Sequence, residues 1–411
     1  MSRRVLFVLL LVAFLDTAAF GLMYPLLSSL LFDPKWHLVA PQTSESIRGL
    51  WLGVLLSATP ITQMLVSPFV GSLSDRIGRR PVILGCLSVG SVSWLLAAFS
   101  VFQESLFCFV LSRIVMGVYV ASYAASNACI ADISDESEKG RGFSLMGTAF
   151  GLGFSIGPLL GGVLAGETVF WGEWLPRPFL ISSVLTLINA VLVFLWLPET
   201  RPAVATNAPK QSFAATVRDI VAIDTRMFSL LLATFLFCFG WSFYIDLIPV
   251  WWVTQFHMTA SQVGMYFAFG AVWYVVSCGF LVSRFLRRWK PMQVFTVATV
   301  LLFASIWALF VVNTPQIYWL MFAIQNCCAA FMFPVAATIV SDMASPEHQG
   351  KVMGLYGSAE CLGIGIAPMI SGLFLGIHLL MPVAIGGLAV LISGIMVHRV
   401  GKIRNIQAQS P

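Results

Sequence analysis

Charge is what this chain lacks most: Asp, Glu, Lys and Arg together make up 10% of its 411 residues, against about a quarter in soluble domains. With 58% hydrophobic residues and a mean hydropathy of +0.89, it has too little polar surface to fold in water, so a soluble globular protein is excluded. Histidine is also scarce. The five histidines, His37, His257, His348, His378 and His398, sit at or near the ends of apolar runs, and none is grouped with cysteines or acids at metal-ligand spacing, so no metal centre is expected. The eight cysteines, Cys86, Cys108, Cys129, Cys238, Cys278, Cys327, Cys328 and Cys361, all fall inside apolar runs and read as small packing residues. Adjacent Cys327 and Cys328 would point about 100° apart on a helix, which does not suit a redox or metal pair. No phosphate-binding glycine loop and no nucleophile–base arrangement appears, so neither an enzyme nor a cofactor is expected.

What the chain does have is long apolar runs, at about 5–30, 49–70, 81–100, 106–131, 143–166, 178–197, 227–254, 260–282, 292–312, 317–341, 352–376 and 379–398. Each is long enough to cross a hydrocarbon core about 30 Å thick as a helix. The expected fold class is therefore an all-α membrane protein of twelve transmembrane helices. Of the 23 lysines and arginines, Arg113 lies inside a run, Lys35, Arg48 and Arg177 fall on one side, and the rest fall on the other. The positive-inside rule then places both termini in the cytoplasm. The net charge of +5 is accounted for by this topology and calls for no nucleic-acid partner. The first run carries an acid and no small-residue cleavage site, which predicts a retained helix.

Two motifs organise the chain. Between the second and third runs stands Gly71-Ser-Leu-Ser-Asp75-Arg76-Ile-Gly78-Arg79-Arg80, one acid with three bases where lipid ends, which predicts a cytoplasmic hairpin turning at Gly71 and Gly78. Residues 128–162 recur in degraded form at 338–372 with a constant shift. Asp132 matches Asp342, Gly140 matches Gly350, Arg141 matches Lys351, Gly153 matches Gly363, Pro158 matches Pro368 and Gly162 matches Gly372. The chain thus reads as two pseudo-symmetric six-helix bundles, 1–197 and 227–411, joined by a polar cytoplasmic linker at 198–226. The hairpin has an echo at 279–290, GFLVSRFLRRWK, which lacks the acid and the second glycine. The outer loop at about 31–48 carries no assignable role.

Ionisable residues inside a spanning helix cost at least about 2.5–3.5 kcal/mol and are functional candidates by default. Four are expected here: Asp16, Arg113, Asp246 and Glu360. At about 1.5 Å per residue, Asp16 and Glu360 lie roughly 15 Å from the cytoplasmic end, and Arg113 and Asp246 roughly 27 Å. Water access and the distance to an arginine alter a carboxylate's proton affinity, which is the physical requirement of proton coupling. Asp16 reads as proton carrier or as a fixed hydrogen-bond anchor. Arg113 is expected to pair with an acid or a backbone carbonyl of the first half. Asp246, beside Trp241 and Tyr244, reads as part of a site for a cationic or amphipathic ligand or as an outer-end residue facing water. Glu360 reads as a substrate or second proton site, or as a polar contact. Gln63, Asn127, Gln325 and Asn326 are uncharged cavity candidates, interhelical hydrogen bonding being the alternative. Pro158 removes a backbone donor among glycines that permit close helix contact.

Over essentially its whole length the chain resembles the major facilitator superfamily, and within it the drug/proton antiporter branch that includes the tetracycline/proton antiporters. The hairpin 71–80 is similar to that family's loop between helices 2 and 3, and Leu111-Ser-Arg113-Ile-Val-Met-Gly117 to its helix 4 motif. Gly153-Phe-Ser-Ile-Gly157-Pro158-Leu-Leu-Gly161-Gly162 is similar to its helix 5 antiporter motif. Asp16 with Gly21 and Pro25, and Gln63 with Pro68, match the tetracycline-antiporter spacing. The resemblance implies the major facilitator fold, an inner-membrane monomer, and export of small amphipathic compounds driven by protons, with Asp16 and Arg113 in coupling. It also implies a cytoplasmic gate formed by Gly71, Asp75, Arg76, Gly78, Arg79, Arg80, Asp132 and Arg141. Alternatives are a dedicated exporter of a metabolite such as a siderophore, a nutrient importer, and a non-transporting sensor of the same fold.

Overall fold

The computed structural model describes residues 3–33, 36, 38–133, 136–165, 176–200, 225–311, 315–343, 349–375, 377–378 and 380–407, which are almost entirely helical and contain no strand. Twelve helices are long and apolar enough to cross a membrane: α1 (Arg4–Phe32), α2 (Glu45–Ile77), α3 (Arg79–Phe102), α4 (Leu106–Ile130), α5 (Leu145–Leu164), α6 (Pro176–Trp196), α7 (Arg226–Phe256), α8 (Ala260–Leu286), α9 (Pro291–Phe310), α10 (Ile317–Met343), α11 (Leu355–Phe374) and α12 (Met381–Lys402). Their starts follow local chemistry. Ser44 accepts from the Ile47 N–H ahead of α2, Ser105 accepts from the Cys108 N–H ahead of α4, and Pro291 opens α9, each arrangement sparing or satisfying an orphan donor of the first turn.

The chain divides into two compact units, one of Met1–Thr206 with Pro249–Ala271, the other of Asn207–Ile248 with Val272–Pro411. Residues 249–256 of α7 and 260–271 of α8 thus count with the first unit, whereas the boundary read from sequence gives them to the second bundle. Of the linker, residues 201–224 lie outside the described residues. Within the first unit α1 packs on α5 and α6, and α3 on α4 and α6; within the second, α7 packs on α11 and α12, and α9 on α10 and α12. The same packing plan in both units is the structural counterpart of the sequence repeat.

Large apolar side chains such as Phe69, Phe107 and Phe280 are exposed, while Ser93, Ser112, Ser182, Asn189 and Gln325 are buried. This inversion suits a hydrocarbon solvent, in which interior hydroxyls and amides tie helices together. Ser93 donates to the Ser112 carbonyl across α3 and α4 (2.9 Å), Ser182 to the Ala19 carbonyl across α6 and α1 (3.1 Å), and Ser393 to the Ala233 carbonyl across α12 and α7 (2.7 Å).

Two spanning helices are interrupted. α1 breaks at Leu22–Met23 ahead of Pro25, and α7 at Asp246–Leu247 ahead of Pro249. Each proline lacks the N–H that would have bonded the carbonyl four residues back. α8 carries a π-helical segment at Ser277–Leu281. The connection between α1 and α2 is organised by Arg48, whose guanidinium donates to the carbonyls of Leu31, Thr43 (3.0 Å), Ala40 (3.1 Å) and Pro41 (3.0 Å).

The segment 71–80 departs from the expected hairpin. α2 continues through Gly71 and Asp75 to Ile77, a single residue, Gly78, breaks the chain, and α3 begins at Arg79. Gly71 is therefore a helix residue and not a turn. Gly78, at φ 106° and ψ 158°, occupies backbone space that essentially only glycine enters. At the echo in the second half, α8 ends at Leu286 and α9 begins only at Pro291, so the junction that lacks the glycine is longer.

Candidate functional site

Asp16 lies partly buried on α1, facing the interior of the first unit. The Asn189 amide on α6 donates to its Oδ1 at 2.6 Å and also to the Val12 carbonyl at 2.9 Å. The Tyr119 hydroxyl on α4 lies beside both the Asp16 carboxylate and the Thr186 hydroxyl, without a well-aligned hydrogen bond to either. Asn189, Thr186 and Tyr119 were not singled out from sequence, yet one signal existed. Ser182, Thr186 and Asn189 stand at i, i+4 and i+7 in an otherwise apolar run, one polar stripe on a helix face.

Arg113 is fully buried on α4, and its surroundings differ from expectation. Among the described residues no acid and no backbone carbonyl pairs with its guanidinium. It reaches the Met23 sulfur through Nη1 and the Ser112 hydroxyl through Nε at 3.4 Å. Its charge lies over the rings of Trp94 (5.1 Å) and Phe109 (5.3 Å), and Nη2 has no partner. The reason is axial: six residues along α4 separate it from Tyr119, about 9 Å at helical rise, so Asp16 and Arg113 occupy different levels. Gln63 on α2 and Asn127 on α4 are half-buried.

In the second unit, Asp246 is buried in the break of α7, where Ser242 donates to its Oδ2 and also approaches the Ile364 carbonyl of α11 at 3.4 Å. The outer-end, water-facing alternative for Asp246 is thereby overturned. Trp241 and Tyr244 precede it on the same helix, with ring centroids 5.9 Å apart. Tyr244 donates to Gln325 of α10, which in turn donates to the Ser305 carbonyl of α9 at 3.2 Å; this network ties three helices. Asn326 donates to the Phe322 carbonyl within its own helix (2.8 Å). Glu360 on α11 is half-buried, with the Tyr356 hydroxyl as hydrogen-bond partner and Tyr274 and Cys238 close by.

At the α2–α3 junction Arg79 forms the centre. It pairs with Asp75 Oδ1 at 2.5 Å and with Asp132 Oδ2 at 3.0 Å, and donates to the Ser74 hydroxyl at 2.8 Å. Sequence reasoning missed Glu199, just past α6, whose carboxylate accepts from the backbone N–H of Arg79 (2.8 Å) and of Arg80 (3.2 Å). An acid there satisfies orphan donors and complements the positive end of α3. A Cβ on Gly78 would strike that carboxylate. Arg80 lies over the Phe194 ring at 5.3 Å and donates to its carbonyl. Arg76 is exposed, and the Arg141 side chain lies outside the described residues.

The α5 glycines bring backbones together within the first unit. A Cβ built on Gly157 would lie 2.6 Å from the Gly21 Cα of α1, and one on Gly162 would lie 2.9 Å from the Gly264 Cα of α8. Gly153 abuts Thr17 and Phe14, Gly161 abuts Leu22, and Pro158 touches the Gly21 position at 2.9 Å. No group of three or more metal-ligating side chains occurs among the described residues.

A family model described as Major Facilitator Superfamily matches residues 6–368. The tetracycline resistance protein, class B, of Escherichia coli is 35% identical over 193 residues, covering 47% of this chain and 44% of that protein. The class C protein of Escherichia coli is 27% identical over 379 residues, covering 90% of this chain and 89% of that protein. Among solved structures, the human organic anion transporter MFSD10 (TETRAN) superposes with a TM-score of 0.71 at 23% identity, over 96% of this chain and 99% of that one.

Proposed function

This chain belongs to the Major Facilitator Superfamily, a family of membrane transporters and not of enzymes, and from that premise we propose that it is a proton-coupled exporter of small amphipathic compounds. It works by alternating access between two six-helix bundles, as a monomer in the inner membrane with both termini cytoplasmic and the proton gradient as its only drive. The observation that carries the reading is the placement of Asp16: a half-buried carboxyl on α1, held at 2.6 Å by Asn189 beside the Tyr119 hydroxyl. Such a carboxyl has polar partners for either protonation state, so a change in water access can load or discharge it. The names of the two tetracycline resistance relatives support drug export.

In proteoliposomes carrying a pH gradient, compounds of a test panel should move uphill against the proton flow. Asp16→Asn should abolish that uphill movement while the protein stays folded and inserted, because the amide keeps size and hydrogen bonding but releases no proton. Undiminished pH-driven movement by Asp16→Asn would remove Asp16 from the coupling role.

A second reading is export of an anionic metabolite such as a siderophore. Arg113 favours it, a buried cation with no acid at ion-pair distance among the described residues, and so does the name of the organic anion transporter that shares the fold.

A further inference from the structure

The internal repeat carries the three arginines of the α2–α3 junction into the second unit, where Arg76, Arg79 and Arg80 correspond at one constant shift to Arg284, Arg287 and Arg288. Their acidic partners do not come with them. Ser283 stands at the position of Asp75, and Asp342, the counterpart of Asp132, is exposed near the end of α10. In the first unit Arg79 is 11% exposed between Asp75 and Asp132, whereas Arg284, Arg287 and Arg288 are all exposed. Among the described residues none of the three ion-pairs with an acid.

The α8–α9 junction is nonetheless held in one shape. The Phe285 carbonyl accepts from the N–H groups of Arg288 (3.0 Å) and Trp289 (2.9 Å). The Lys290 N–H donates to Gln293 Oε1 at 3.3 Å, and the Gln293 N–H returns a bond to the Lys290 carbonyl at 2.9 Å. Gly401 of α12 packs on Met292, whose sulfur would lie 2.8 Å from a Cβ built there, which brings the exposed Arg399 and Lys402 level with the start of α9. Five bases from the ends of α8 and α12 thus gather around that start. Set among them are Phe285 and Trp289, 44% and 51% exposed, and aromatic side chains at the ends of spanning helices settle where hydrocarbon meets headgroups.

We propose that Arg284, Arg287 and Arg288, with Arg399 and Lys402 of α12, form a docking surface for the headgroups of anionic phospholipid. A guanidinium takes phosphate oxygens two at a time, and a headgroup whose only charge is its phosphate supplies the counter-charge that this junction has lost from the chain itself. A zwitterionic headgroup brings its own cation and supplies none. An acidic soluble peptide would meet the bases but leave the two rings among them without an apolar partner, whereas a phospholipid offers phosphate and hydrocarbon side by side. The surface goes beyond the exporter reading and holds whatever the cargo is.

The test is lipid binding to the purified full-length protein in detergent, read by native mass spectrometry with phosphatidylglycerol and phosphatidylcholine of identical acyl chains. Wild type should bind phosphatidylglycerol more tightly, and added salt should narrow the difference. The triple variant Arg284→Gln, Arg287→Gln, Arg288→Gln should weaken phosphatidylglycerol by roughly tenfold to a hundredfold and leave phosphatidylcholine unchanged. Replacing the same three arginines with lysine, which keeps the charge, should retain most of the affinity. Phe285→Ala with Trp289→Ala should weaken both lipids. Equal binding of the two lipids by wild type, or undiminished phosphatidylglycerol binding by the glutamine variant, would overturn the surface. So would displacement of the lipid by inorganic phosphate at the same concentration, since that would make the site one for free phosphate. The outcome is independent of Asp16, because no pH gradient and no transported compound enters the measurement.

Discussion

Arg113 is the side chain whose environment serves it least. Burying a charge costs several kcal/mol after relaxation, and the two ring faces at 5.1 and 5.3 Å return about 2 kcal/mol or somewhat more between them. The balance is unfavourable for stability, which is the physical ground for testing the residue for a role in transport. Arg113→Met, which keeps length and suits a box of Met23, Trp94 and Phe109, should therefore leave the melting temperature of the purified protein unchanged or raise it, while transport is lost. A fall of several degrees in thermal unfolding would mean that the guanidinium is structural. Asn189 is the contrasting case, since both its amide bonds go to α1 and a replacement there would disturb helix packing and the Asp16 carboxyl together.

The α2–α3 junction shows how one element is ended and the next begun with a single residue. Gly78 supplies a backbone conformation closed to other residues, and Glu199 occupies the space a side chain would need while accepting from the first two N–H groups of α3. Gly71, seven residues earlier, is helical, and a Cβ added there meets nothing. The two glycines of one motif should therefore respond in opposite directions. Gly78→Ala should destabilise by roughly 1–3 kcal/mol from backbone strain, with the displaced Glu199 adding to it. Gly71→Ala should be neutral or stabilising by up to about 1 kcal/mol. Denaturation of the two variants in detergent, compared with wild type, checks the pair; equal destabilisation would return Gly71 to a turn role.

For the whole molecule, the two units share one packing plan, yet their polar interiors are unlike: among the described residues the first holds Asp16 and the buried base Arg113, the second the two acids Asp246 and Glu360. The junction with Asp75, Arg79, Asp132 and Glu199 belongs to the first unit alone. Asp75 is 65% exposed at its side chain while Arg79 is 11% exposed, so losing Asp75 leaves Arg79 held by Asp132. Asp75→Asn should accordingly slow exchange of substrate across loaded vesicles more than it weakens binding to purified protein. Normal exchange with weakened binding would place Asp75 at the ligand and not at a gate.

Twelve spans, their helical nature and the two-fold internal repeat were legible in the chain itself, because a bilayer demands about twenty apolar residues per crossing and a repeat is a property of order along the chain. The candidate acids were legible too, since a charge in an apolar run stands out. Their partners were not. Asp16 meets Asn189 across 173 residues, Glu199 reaches Arg79 across 120, and Tyr244 reaches Gln325 across 81. Helices that are apolar on nearly every face carry little periodicity to say which side turns inward. That rotation is set by close backbone contacts such as Gly157 on Gly21, and tertiary packing alone decided which polar groups share an interior.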